Sequence, residues 1–163
     1  LERMGAEVAV AYESSEGKEP IGSITVKSTA HLHGCEVPAQ HIASIVDEIP
    51  VLSLVAAHAR GLTVFRGVEE LRVKETNRLA AVVEGLDRLG IDTWVEGDDL
   101  YIEGDPDLEV PADLVFDSQG DHRLAMTWAL VGLTGEHSVE VADFGCVAVS
   151  YPGFLKDVEG LVR

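Results

Sequence analysis

The chain has 163 residues, enough for one domain or two small units, and 46% of them are hydrophobic, so it can build a core. Its formal net charge of −17 argues against a nucleic-acid partner, because a phosphate backbone needs a basic face. The longest apolar stretch, 49–57, is broken by Pro50 and Ser53 and is too short to span a membrane, no charged-then-apolar leader opens the chain, and Cys35 and Cys146 stand far apart, which reads as reduced thiols in a cytoplasmic protein.

Leu1-Glu2-Arg3-Met4-Gly5 reads as the last turn of a helix, closed by Gly and followed by a short alternating strand. It resembles Leu86-Asp87-Arg88-Leu89-Gly90, so the chain repeats itself. Asp47 precedes Pro50 and an apolar run that predicts a helix reaching Gly61. A strand follows at Leu62 to Phe65, then a second helix from about Lys74 to Leu89, with Leu79, Val82, Val83, Leu86 and Leu89 as its buried stripe. Thr93 to Glu96 and Leu100 to Glu103 form a hairpin across Gly97-Asp98-Asp99. Leu114 to Phe116 is a strand leading to Asp121, which opens a helix reaching Gly135 with Leu124, Met126, Trp128, Ala129 and Leu130 in the core. A strand at Ser138 to Val141 and a helix from about Pro152 to Leu161 complete the second copy. The fold class is therefore α/β, or α+β, with repeat units of roughly 1–103 and 104–163. The abrupt ends at Leu1 and Arg163 predict a piece of a longer repeat protein.

The chemistry concentrates in Lys74-Glu75-Thr76-Asn77-Arg78 and Asp121-His122-Arg123. Cations at a helix start oppose the macrodipole, so stability gives them no reason to be there, whereas free N–H groups and cations together attract an anion. On a helix, Lys74 and Arg78 would share a face, with Arg supplying bidentate contacts and Lys a point charge. Glu75 is either an acid serving the same ligand or a first-turn residue that complements the dipole. Asp47, which forms an acid pair with Glu48, is either an acid–base group beside these cations or a simple N-cap, and Asp121 before its apolar run reads as an N-cap. The histidines and cysteines lack metal-ligand spacing, and there is neither a phosphate-cradling glycine loop nor a G-x-S-x-G elbow.

Four segments in register, Val46-Asp47-Glu48-Ile49-Pro50, Val73-Lys74-Glu75-Thr76-Asn77-Arg78, Asp121-His122-Arg123-Leu124-Ala125-Met126 and Ser150-Tyr151-Pro152-Gly153-Phe154, resemble the C-terminal part of the 5-enolpyruvylshikimate-3-phosphate synthases. The resemblance implies an enolpyruvyl transferase fold of β-α-β-α-β-β units, of the inside-out α/β barrel type, here as an incomplete domain without the N-terminal domain and first unit. It implies transfer of the enolpyruvyl group of phosphoenolpyruvate to the 5-hydroxyl of shikimate 3-phosphate, with phosphate released and no metal or organic cofactor. The partners implied are these two anions and the missing N-terminal domain, with no nucleic acid and no membrane. Position by position, Asp47 resembles the proton acceptor near the 5-hydroxyl and Glu75 the acid that protonates the enol methylene. Lys74, with Asp47, resembles a shikimate 3-phosphate ligand, Arg78 and Arg123 resemble the phosphoenolpyruvate ligands, and Asp121 and His122 support them. Two positions depart from the pattern: Val149 stands where many members have Lys, and Glu70 where some have Asn. With half a cleft the chain is expected to be inactive alone. The alternative is a stand-alone binding module for small phosphorylated acids.

Overall fold

The computed structural model describes residues 1–135 and 137–161; the abrupt end expected at Arg163 lies outside them. A short 3-10 turn, Glu2–Met4, closes on Gly5 at φ 92, and Gly90 has φ 81 after the later helix. Only glycine takes this left-handed conformation without steric cost, so the two matching segments share a terminator as well as a sequence. Next, β1 (Glu7–Glu16) and β2 (Glu19–Lys27) pair antiparallel, with a register shift between Tyr12 and Ser14. The sequence pointed to the first of these strands and not the second, whose Pro20 and Gly22 break its pattern. Val10 and Ile24, partners in the register, are 75% and 70% exposed, so the hairpin presents an uncovered apolar face.

After β3 (Glu36–Val37) and α1 (Ala39–Ile42), a 3-10 turn at Val46–Glu48 runs into α2 (Ile49–Ala57). Pro50 lies in the first turn, where its missing N–H is no loss. The helix stops four residues short of Gly61, because Arg60 N–H donates to the Leu32 carbonyl and its own carbonyl accepts from Gly34, which draws the chain into a sheet. Gly61, at φ 84, therefore opens β4 (Gly61–Phe65) instead of ending a helix.

The expected helix from Lys74 is corrected: a 3-10 turn covers Glu69–Val73, and α3 (Arg78–Arg88) begins only after Asn77, whose Oδ1 accepts the Ala80 N–H at 3.1 Å. Lys74, Glu75 and Thr76 lie in the connecting loop. The expected hairpin forms from β5 (Asp92–Glu96) and β6 (Asp99–Gly104), and the four-stranded sheet has the order β3-β4-β6-β5, with β3 parallel to β4 and the rest antiparallel. The remaining elements are β7 (Val115–Asp117), α4 (His122–Val131), β8 (Glu140–Ala142) and α5 (Phe154–Leu161). α4 ends four residues before Gly135, and the strand expected at 138–141 falls at 140–142.

Two parallel strand pairs match in register. Val37 pairs with Phe65 across parallel β3 and β4, and Phe116 with Val141 across parallel β7 and β8. Two residues beyond Phe65 and Val141 stand Gly67 at φ 71 and Asp143 at φ 56. The second pair keeps the left-handed turn without the glycine, at a residue type that tolerates it.

Helices α2, α3 and α4 pack together, α2 against α4 and α3 against both, with β6 over α2 and β5 over α3. Leu79, Val82, Leu86, Leu89, Leu124 and Trp128 are buried as expected, while Val83, Met126, Ala129 and Leu130 are half-buried at the edge. α3 approaches α4 through Gly85, where an added Cβ would lie 2.3 Å from two ring carbons of Trp128. Phe116 stacks on that ring at a centroid distance of 4.9 Å. Among the described residues no helix is long and apolar enough to cross a membrane.

Candidate active site

The packing of α2, α3 and α4 brings their first turns to one place, and the charged motifs meet there. Arg78 is the hub. Its side chain is 1% exposed, and it sits at the first residue of α3. Nε donates to Asp121 Oδ2 at 2.7 Å and Nη2 reaches Asp121 Oδ1 at 3.3 Å. Nη1 donates to Asp47 Oδ1 at 2.8 Å, and Nη2 also donates to Glu75. A guanidinium can be buried only if its charge and its forked donors are met, and here carboxylates from three segments meet them.

Asp121 serves two elements at once. It is fully buried, and while it holds Arg78 its Oδ1 accepts from the backbone N–H groups of Arg123 at 2.9 Å and Leu124 at 3.4 Å, which makes it the N-cap of α4. Burial pushes its carboxyl pKa up, but the Arg78 bonds and charge and the two backbone donors outweigh this, so it lies below the ordinary carboxylate range. The cap reading of Asp121 therefore holds, and the residue is an ion-pair partner besides.

Asp47 does not cap α2. Glu48 holds that position, without a side-chain cap bond, and Asp47 sits within the preceding 3-10 turn, where it faces cations instead. Besides Arg78, its carboxylate has Lys74 Nζ at 3.5 Å and Arg123 Nη2 at 3.7 Å. Partial burial raises its pKa, and the charges of Arg123, Lys74 and Arg78, with the Arg78 hydrogen bond, more than reverse this, leaving it depressed. Arg123, in the first turn of α4, donates to the Asp47 carbonyl at 3.1 Å and to Glu48 Oε1 at 3.2 Å. Lys74 pairs with Glu70, and that bond is what chiefly raises its pKa.

The expected pairing of Lys74 and Arg78 on one helical face is corrected, since Lys74 precedes the helix; the two cations meet instead on the same oxygen of Asp47. His122 is half-buried at the first residue of α4 and makes no side-chain hydrogen bond among the described residues. Val149 is 90% exposed at the end of a 3-10 turn, Phe144–Val149. Two residues to which the sequence assigned no site role join the network: Glu70, and Thr76, whose hydroxyl lies 3.4 Å from Asp121 Oδ2. The four-residue spacing from Glu70 to Lys74 was the available sign of their pairing.

The family model for EPSP synthase (3-phosphoshikimate 1-carboxyvinyltransferase) matches residues 1–158. The chain belongs to that family. A 3-phosphoshikimate 1-carboxyvinyltransferase of Roseiflexus castenholzii is 45% identical over 154 residues, which are 94% of this chain but 35% of that enzyme. An EPSP synthase structure from Acinetobacter baumannii superposes on 98% of this chain and 37% of its own, with a TM-score of 0.90 and 35% identity. The enolpyruvyl transferase NikO of Streptomyces tendae, at 24% identity and a TM-score of 0.66, shares the fold. The chain thus has the fold of the matched part of an EPSP synthase, an incomplete domain, and spans 35% of the length of the Roseiflexus relative and 37% of the Acinetobacter chain.

Proposed function

We propose that this chain carries one wall of the active site of a 3-phosphoshikimate 1-carboxyvinyltransferase, which moves the enolpyruvyl group of phosphoenolpyruvate to the 5-hydroxyl of shikimate 3-phosphate and releases phosphate. The observation that carries the reading is the convergence of Asp47, Lys74, Glu75, Arg78 and Arg123 in one ion-pair network at the starts of α2, α3 and α4. Lys74 and Asp47 take shikimate 3-phosphate, and Arg78 and Arg123 take phosphoenolpyruvate. Asp47 accepts the 5-hydroxyl proton, and Glu75 protonates the methylene carbon.

The network gives these roles a physical basis. Asp47 is a poor base while three cations surround it. Substrate anions draw Lys74 and Arg123 toward themselves, the field on the carboxylate weakens, and its basicity rises when it is needed. Arg78 exchanges its bonds to Asp47 and Glu75 for the anion, while the Asp121 bonds keep the guanidinium in place. Lys74 is held by Glu70 and Asp47, and Arg123 by Glu48 and Asp47, so neither cation is fixed by a fully buried partner.

Three cations against five carboxylates leave this wall with net negative charge. Two anionic substrates therefore need further cations, which the remaining part of the enzyme supplies from the opposite wall. The chain alone is expected to be inactive and to act in a cytoplasmic enzyme. Titration calorimetry with shikimate 3-phosphate tests the binding half of this proposal. Weak binding that Lys74→Met removes supports it. Binding insensitive to Lys74→Met and Asp47→Asn together would place the ligand elsewhere and refute it.

A further inference from the structure

We infer that Glu70 is a positioning residue for Lys74, competing with the substrate's phosphate for one ammonium and so setting how tightly the site takes a phosphate monoester. The inference rests on the reading of Lys74 as a phosphate ligand. Glu70 sits in the 3-10 turn Glu69–Val73, which the fully buried Val68 and Leu71 anchor to the core. Lys74 leaves that turn in extended conformation, φ −76 and ψ −161, and folds its side chain back onto the turn. Nζ lies 2.5 Å from Glu70 Oε1 and 3.5 Å from Asp47 Oδ1, so Glu70 is the tighter partner.

The two carboxylates fare differently when Lys74 turns away. Asp47 keeps its hydrogen bond from Arg78 at 2.8 Å. Glu70 has no second cation among the described residues, and its side chain is 53% exposed, so water takes over its solvation. The exchange is therefore easy on the protein side, since an exposed pair at this spacing is weak and a lysine–phosphate bond is charge-assisted. The Glu70 charge stays close to where Lys74 leaves the turn and opposes the incoming anion throughout. A neutral residue at position 70 both frees Lys74 and removes that repulsion.

The test uses the whole chain, inorganic phosphate as the probe, and two readouts. The chain has four lysines, Lys18, Lys27, Lys74 and Lys156, so an NMR spectrum of the lysine ammonium groups is simple, and Lys74→Met assigns the Lys74 signal. Glu70→Gln should shift that signal and tighten phosphate binding about two- to fivefold, the scale of a weak exposed ion pair. Glu70→Asp should return affinity toward that of the parent chain. Glu84→Gln, which removes the same charge from the exposed Glu84–Arg88 pair at the same spacing, should do neither. Unchanged Lys74 signal and affinity in Glu70→Gln would overturn the inference, as would weaker binding, which would make Glu70 a direct ligand contact. If phosphate binding survives Lys74→Met, the underlying phosphate-ligand reading fails instead, whatever position 70 does.

Discussion

The Arg78–Asp121 pair is the most exposed to test, because it is the one ion pair among the described residues whose two partners are both buried. Asp121→Ala removes both bonds to Arg78 and the two backbone cap bonds of α4. Arg78 keeps Asp47 on Nη1 and Glu75 on Nη2, so only the Nε–H and the second, longer-bonded Nη2–H are orphaned, which puts the loss at the lower end of the range for breaking a buried pair, about 3 kcal/mol. The lost cap adds about 1 kcal/mol. The sum of about 4 kcal/mol is a large part of a domain's stability and corresponds to a fall in Tm of roughly 10 °C. Asp47→Ala, at a half-exposed carboxylate whose removal lets water reach the Arg78 Nη1 donor, should cost less, about 1 kcal/mol. Urea unfolding followed by the fluorescence of Trp94 and buried Trp128 measures both. Equal costs for the two substitutions would refute the claim that burial, and not charge count, sets the energetics here. The pH dependence gives a second check. The folded-state pKa of Asp121 is lowered, so its stabilisation is complete above the unfolded value near 3.9 and is lost as pH falls through the lower folded value. The stability gap between the parent chain and Asp121→Asn should therefore close in acid; a gap independent of pH would contradict the assignment.

Other outcomes follow from the packing. Gly85→Ala forces the Trp128 ring out of place and should cost about 1–3 kcal/mol in the same assay, with a changed Trp emission. Asn77→Ala removes the α3 cap and should cost about 1 kcal/mol without altering the core. The apolar face of the β1–β2 hairpin should drive self-association of the isolated chain, which Val10→Lys with Ile24→Lys should suppress; sedimentation of the parent chain as a clean monomer at high concentration would dispose of this.

Much of the fold could be read from period and punctuation. The stripe Leu79, Val82, Leu86 and Leu89 marks the buried face of α3, Asp121 before an apolar run marks the start of α4, and Gly97-Asp98 marks the hairpin. Helix ends were harder, because tertiary pairing and capping set them: Arg60 is drawn into the sheet before Gly61 can close α2, and Asn77 holds α3 back from Lys74. β2 was missed because Pro20 and Gly22 interrupt its alternation, whereas the equally exposed β1 has no such break. At the site, the residue types and their grouping were legible, but the burial of Arg78 was not. It depends on a carboxylate 43 residues away, and that distance is closed only by the packing of α3 against α4. That Asp47 does not cap α2 was likewise hidden, since an Asp ahead of Pro50 reads as a cap until its cationic neighbours are seen.

The most direct measurement is phosphate release from phosphoenolpyruvate and shikimate 3-phosphate, with this chain mixed with the remaining two-thirds of a related enzyme. Release in the mixture and not with either part alone, abolished by Glu75→Gln and strongly reduced by Asp47→Asn, is the expected result. A mixture shown to assemble that releases no phosphate, or activity indifferent to both substitutions, would contradict the proposed site.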